Sequence, residues 1–174
     1  MNDTITLCDG STINLINPTV EMVSIETVAH GLSRVSRFGA QSPIDYSVAE
    51  HSLGMVQMAM YDGVTDMEVL YAILLHDASE AYLGDIVSPL KKHLKEYLEI
   101  EAKMNAVISE KFSVDFVKHH DIIKKYDRKI LKVEKKVLWE EKSSCKLYQS
   151  PTAKQDFLKA FNIFTYELSD LLFF

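Results

Sequence analysis

The sequence predicts an all-α bundle of helices with a short N-terminal β-hairpin, built as a single domain over residues 1–174. Three observations carry that expectation. Helix start signals recur: Ser47-Val48-Ala49-Glu50 and Thr65-Asp66-Met67-Glu68 have the form of capping boxes, and Ser88-Pro89 puts Pro in a first turn, where its missing N–H costs nothing. Apolar residues follow these signals at intervals of three and four, the spacing of one helical face. Only four Pro and six Gly leave little room for long linkers.

Taken in order, residues 4–16 alternate apolar and polar on both sides of Asp9-Gly10, a dipeptide suited to a tight hairpin turn, and Pro18 ends the hairpin. Ser24 caps a helix from about Ile25 to Val35, with Val28, Leu32 and Val35 as its apolar stripe. Arg37 to Pro43 reads as a loop, because Gly39 and Pro43 break the pattern. A helix follows from Val48 to about Met60, and another ends at His76-Asp77. Ser88 to about Lys111 is helical with a break near His93. Ile122 to Glu141 carries Ile122, Tyr126, Ile130, Val133 and Val137 along one face, and Ser150-Pro151 opens a last, Phe-rich helix to the C-terminus.

Length and composition bound the function. A chain of 174 residues buries about two-thirds of its unfolded surface, enough for one core. No apolar run approaches the roughly 20 residues of a membrane span, and no basic stretch leads into an apolar one at the N-terminus. Cys8 and Cys145 are far apart and form no metal-type pair, so a reduced, cytoplasmic protein is expected. A net charge of -6 argues against a protein that coats nucleic acid. Lys118 to Lys136 nevertheless holds eight basic side chains against three acidic ones, a surface better matched to a small polyanion.

The chemistry concentrates in Leu74-Leu75-His76-Asp77-Ala78-Ser79-Glu80. Asp77 continues an apolar stripe of Leu70 and Ile73, and a carboxylate on such a stripe is costly unless something neutralises it. Glu80 lies three residues past Asp77 and four past His76, so one helical turn groups all three. A metal ion is the simplest partner for inward-facing His and Asp. Two further residues supply ligand types: His51, early in its helix, and Asp127, which heads a stripe continued by Leu131, Glu134 and Leu138. Each has an ordinary reading, His51 as a hydrogen-bonded core histidine and Asp127 as a salt bridge to Lys124. Together, two imidazoles and two carboxylates on one divalent ion account for all of these anomalies. Zn, Co, Mn and Fe(II) all suit mixed N/O ligation with open positions.

The series His51, His76-Asp77, Asp127 resembles the H…HD…D pattern of the HD-domain metal-dependent phosphohydrolases. Tyr46-Ser47-Val48-Ala49-Glu50-His51-Ser52, His76 through Glu80, Gly84-Asp85 and Ser88-Pro89-Leu90-Lys91 resemble the small bacterial and phage members related to 5'-deoxynucleotidases. The resemblance implies that His51, His76, Asp77 and Asp127 hold the metal and that Glu80 orients or deprotonates the attacking water. It implies Asp85 on the sugar 3'-hydroxyl, Arg37 on phosphate or sugar, Phe38 against the base, and Lys91 and Lys124 facing the phosphates. The loop Phe38-Gly39-Ala40-Gln41 departs from a Phe-x-Gly-His type, so Ala40 and Gln41 are expected to alter the base end of the pocket.

The implied function is metal-dependent hydrolysis of a deoxynucleotide by a homo-oligomer, with no nucleic-acid or membrane partner. The lysines around Lys91 and Lys124 to Lys136 favour a long phosphate chain. The first expectation is therefore dATP to deoxyadenosine plus triphosphate, with Mg accompanying the triphosphate. The alternatives are a 5'-deoxynucleotidase acting on dNMPs and a nucleotide-binding protein without turnover. A di-iron oxygenase would need more histidines, such as His30, His119 or His120.

Overall fold

The hairpin forms through a wider turn than Asp9-Gly10 alone would make. In the computed structural model, which describes residues 3–141, 147–148 and 151–171, β1 (Thr4–Thr6) pairs antiparallel with β2 (Thr12–Asn14), Ile5 opposite Ile13. Five residues connect them: Asp9 accepts from the Ser11 backbone at 2.9 Å, and Gly10 takes φ +84. Cys145, Ser150 and the last phenylalanines fall outside the described residues.

Helix α1 (Ile25–Leu32) starts as expected, with the Ser24 side chain accepting from Thr27 N–H. It ends before Val35, whose N–H donates to Gly31 O at 2.9 Å in a final turn. Ser36 then pairs with Ser47 in an isolated antiparallel bridge, flanked by Arg37 N–H to Tyr46 O at 2.9 Å and Val48 N–H to Val35 O at 3.0 Å. The segment between is not an open loop. Its start, Arg37–Ala40, is a tight 3-10 turn in which Phe38 (φ 59) and Ala40 (φ 60) both occupy the left-handed region, unusual for side chains.

α2 (Val48–Tyr61) opens with the full capping box: Ser47 Oγ accepts from Glu50 N–H, and the Glu50 carboxylate accepts from Ser47 N–H at 2.8 Å. α3 (Met67–Leu75) is capped one residue later than expected, because the Asp66 carboxylate, not Thr65, takes the free amides of Glu68 and Val69. Val69 through Leu75 are all buried, so this helix is the centre of the molecule. It packs between α2 and α8 (Ala153–Leu171) and also meets α7 (His120–Lys135). Short α4 (Glu80–Leu83) rests on α1, α5 (Ser88–Lys91) follows, and α6 (Lys95–Phe112) buries only Met104 and Ile108. The expected break near His93 separates α5 from α6.

α7 and its extension bury Tyr126, Ile130 and Val137 of the predicted face, add Ile123, Glu134 and Leu138, and leave Ile122 and Val133 only partly covered. After Lys135 the helix widens into a π-type turn, Lys136–Glu141, which brings Trp139 back towards Phe38. Among the described residues no helix is long and apolar enough to cross a membrane.

Candidate metal centre and substrate cleft

Three helices converge on one point. His51 comes from the first turn of α2, His76 and Asp77 from the end of α3, and Asp127 from α7. The His51 ring is fully buried, and its Nδ1 lies 2.7 Å from Glu134 Oε1. An ionised carboxylate can only accept, so Nδ1 carries the proton and Nε2 turns its lone pair inward. That nitrogen is 3.7 Å from Asp77 Oδ2 and 3.7 Å from Asp127 Oδ1. His76 is held the same way: its Nδ1–H donates to Ile73 O at 2.8 Å, a carbonyl that offers no proton. His76 Nε2 comes within 2.9 Å of Asp77 Oδ2.

Neither Nε2 makes an aligned hydrogen bond, although both are buried. One donor atom each from His51, His76 and Asp77 lies within 4.8 Å of the others. Two such imidazole nitrogens beside carboxylate oxygens fit a divalent cation. The charges agree. Burial and Arg37 lower the His51 pKa. Burial opposes a charge on His76, but Asp77 outweighs it and raises that pKa. Burial likewise disfavours the Asp77 anion, yet His76, His51 and Arg37 hold its carboxyl well below the usual range.

Glu80 stands one turn beyond Asp77 on α4. It is buried, its Oε2 has no hydrogen-bond partner, and burial followed by the nearby Asp77 and Asp85 pushes its pKa up to about 10. Lys91 and Arg37 pull the other way, so added positive charge would favour the ionised form. α4 can lie this close because Gly31 has no side chain: a Cβ there would meet Ala81 O at 2.5 Å. Asp85 follows Gly84, whose carbonyl is held by Tyr97 OH at 3.2 Å, and burial raises its pKa.

The centre opens into a cleft of about 580 Å³. Phe38, Asp85, Lys91 and Lys124 line it with Arg37, Asp77, Glu80 and Asp127. Ala40 does not; it is exposed, and Gln41 takes the place on the wall. Arg37 is 8% exposed and directed inward, donating to Glu134 Oε2 at 3.1 Å and standing 4.0 Å from Asp77. Lys91 is paired with Glu101, and Lys124 lies 4.0 Å from Asp127, the ordinary helical pair. Elsewhere on α7, Lys129 bridges to Asp62 on the far side of the helix. Of the basic side chains in the stretch 118–136, only Lys124 and Lys135 line the cleft. His30, His119 and His120 stay away from it; His119 is buried 3.6 Å from Glu68.

Two prominent residues have no role in the sequence reading, which names Glu134 only as part of the Asp127 stripe and omits Trp139. Glu134 is 0% exposed in the middle of the α7 apolar stripe, the same anomaly that marks Asp77. Burial works against its charge, but His51 and Arg37 hold its pKa down to about 2. Trp139 lies edge-on to Phe38, ring centroids 5.0 Å apart, and completes one wall of the cleft. No sequence spacing could have shown it, because it depends on the π-type turn.

The profile of the family described as 5'-deoxynucleotidase YfbR-like matches residues 33–149, a span that contains every residue named in the cleft. The chain belongs to this family. It is also similar to the uncharacterized protein RCAP_rcc00048 of Rhodobacter capsulatus, with 36% identity over 116 residues, 64% of this chain and 59% of that protein. The uncharacterized protein YfdR of Escherichia coli is 37% identical over 92 residues, 53% of this chain and 48% of that protein. The chain thus spans about half to three-fifths of the length of these curated relatives. As an HD-domain hydrolase family named for monophosphate chemistry, it backs the 5'-deoxynucleotidase alternative better than the expected dATP triphosphohydrolase.

Proposed function

We propose that this protein is a metal-dependent 5'-deoxynucleotidase that releases orthophosphate from deoxynucleoside monophosphates. The observation that carries this reading is the pair of buried Nε2 atoms of His51 and His76, neither in an aligned hydrogen bond, beside Asp77 and Asp127, which line a cleft that also holds Glu80. These four residues would hold a divalent ion of the Zn, Co, Mn or Fe(II) type. Such an ion supplies Lewis acidity at the phosphoryl oxygen and lowers the pKa of acids beside it.

The chain's own groups do the rest. Glu80 takes and positions the proton of the attacking water, and its unpartnered oxygen is free for that task. Asp85, half-buried at the cleft wall, accepts the hydrogen bond of the sugar 3'-hydroxyl. Lys124 and Lys135 give positive charge to the phosphate, with Lys91 held back by Glu101. Phe38 and Trp139 form the aromatic wall for the base. Two of the expected phosphate contacts, Arg37 and Lys91, already have carboxylate partners, which weakens the case for a triphosphate. Self-association of the chain belongs to the same proposal, and light scattering of the purified protein tests it.

The deciding experiment incubates the protein with each dNMP and with dATP in the presence of Mn, Co or Zn and identifies the products. Orthophosphate from a dNMP is expected. No orthophosphate from any dNMP, or triphosphate released from dATP, overturns the reading. Tight nucleotide binding without product under every metal favours the non-catalytic alternative.

A further inference from the structure

Building on that metal centre, we infer that Glu134 is a positioning residue whose two carboxylate oxygens fix the His51 imidazole and the Arg37 guanidinium. Neither oxygen is spare. Oε1 accepts from His51 Nδ1–H at 2.7 Å and Oε2 accepts from Arg37 at 3.1 Å, with Glu134 itself 0% exposed. Packing alone does not call for a charge at this position. Ile123, Tyr126, Ile130, Val137 and Leu138 make the rest of the buried face, and an apolar side chain would continue it more cheaply than a desolvated ion pair.

What Glu134 supplies is orientation. A neutral imidazole carries its proton on either nitrogen, and in the Nε2–H form His51 would aim a hydrogen at Asp77 and Asp127 and could not ligate. The carboxylate at Nδ1 selects the other form and fixes the ring plane, as carboxylates behind metal-binding histidines do. Its second oxygen anchors Arg37, whose other terminal nitrogen then stands 4.0 Å from Asp77 Oδ2. Glu134 thereby reaches two of the four ligand groups, one directly and one through Arg37. It touches neither substrate nor the reacting atoms, so its effect is on affinity and geometry of the centre.

The test titrates metal-free protein with Co(II) and follows the visible absorption, which reports ligand number and symmetry without turnover. Wild type is expected to give a d–d band. Glu134→Gln keeps the shape of the side chain but offers His51 only a neutral acceptor, so it should bind more weakly. The double variant Glu134→Leu/Arg37→Met leaves no unpaired buried charge and should bind roughly 10- to 100-fold more weakly than wild type, with an altered band. A second measurement needs no variant: long-range proton–nitrogen NMR of wild-type metal-free protein should find His51 protonated at Nδ1 and bare at Nε2. Absence of Co(II) binding by wild type would refute the metal centre itself. If wild type binds and a folded double variant binds equally well, or if His51 carries its proton on Nε2, the role given to Glu134 is wrong. Should neither variant fold, the tautomer measurement decides.

Discussion

Replacing Gly31 with Ala tests whether the contact between α1 and α4 sets the position of Glu80. A Cβ at residue 31 would lie 2.5 Å from Ala81 O and 2.8 Å from Ala81 Cα, whereas ordinary contact begins at 3.4 Å, so the segments must part by about 0.9 Å. Both obstacles are backbone or stem atoms, and no side-chain rotation relieves them. Ala81 follows Glu80 directly, so the Glu80 carboxylate moves with it. Two stability effects oppose each other: Ala gains about 1 kcal/mol over Gly within a helix, and overpacking costs about 1–3 kcal/mol. The net loss is at most about 2 kcal/mol, a fall in Tm of no more than roughly 8 °C for a chain this size. Turnover should suffer more, since a misplacement near 1 Å can cost about a hundredfold. The proposed ligands ride on α2, on the end of α3 and on α7, so metal content should hold. The assay pairs kcat on a dNMP with metal analysis and a melt of the metal-free protein. A variant with kcat within twofold of wild type and an unchanged Tm would show that this close approach does not govern Glu80.

Four other outcomes follow from the same geometry. Adding Mn or Co to metal-free protein at a hundred times its dissociation constant should stabilise the fold by about 2.7 kcal/mol, read as a rise in Tm; no rise means the donor cluster does not bind. Glu80→Gln should retain the full metal complement and lose at least about a hundredfold in kcat, and normal hydrolysis by this variant removes Glu80 from the mechanism. Trp139→Ala should raise KM several-fold with kcat nearly unchanged, because the proposed role of the aromatic wall is to hold the base and not the reacting phosphate; an unchanged KM for every dNMP excludes that wall. Ala40→Gly should raise Tm slightly, since a left-handed Ala costs about 1 kcal/mol more than Gly there, and a lowered Tm would contradict the strained turn.

How far the sequence shows these features depends on what kind of force sets them. Local signals translate well. The caps at Ser24 and Ser47, the Pro-marked start of α5 and the break before α6 come from backbone hydrogen-bonding needs that two to four residues satisfy. Where two local solutions compete, the sequence pattern misleads slightly: Asp66 outranks Thr65 as a cap because a carboxylate accepts two amides at once. The turn at Arg37–Ala40 is harder still. Two side chains sit in the left-handed region there because the Ser36–Ser47 bridge pins both ends of the segment, and no propensity of Phe or Ala would suggest it. Trp139 reaches the cleft only because α7 widens at its end, a change of helical pitch that carries no sequence mark.

The site divides along the same line. A polar residue on an apolar stripe is visible in sequence, and that rule brings out Asp77. Glu134 obeys it equally, one turn past Ile130, but its partners His51 and Arg37 lie 83 and 97 residues away, so nothing local says what the charge is for. The lysines fail for the opposite reason. Counting them in Lys118 to Lys136 treats every cation as available, whereas Lys118 is paired with Glu68, Lys129 with Asp62 and Lys136 with Glu141. A charge already neutralised attracts phosphate weakly, which is why a basic stretch of sequence does not by itself make a triphosphate site. The same reasoning limits Arg37. Moving it onto a substrate phosphate would strand the Glu134 carboxylate, fully buried beside His51, and leaving one partner of a buried pair unmatched costs about 3–5 kcal/mol. A single phosphate dianion near Lys124 and Lys135 leaves the Arg37–Glu134 pair in place, which supports the proposed monophosphate substrate.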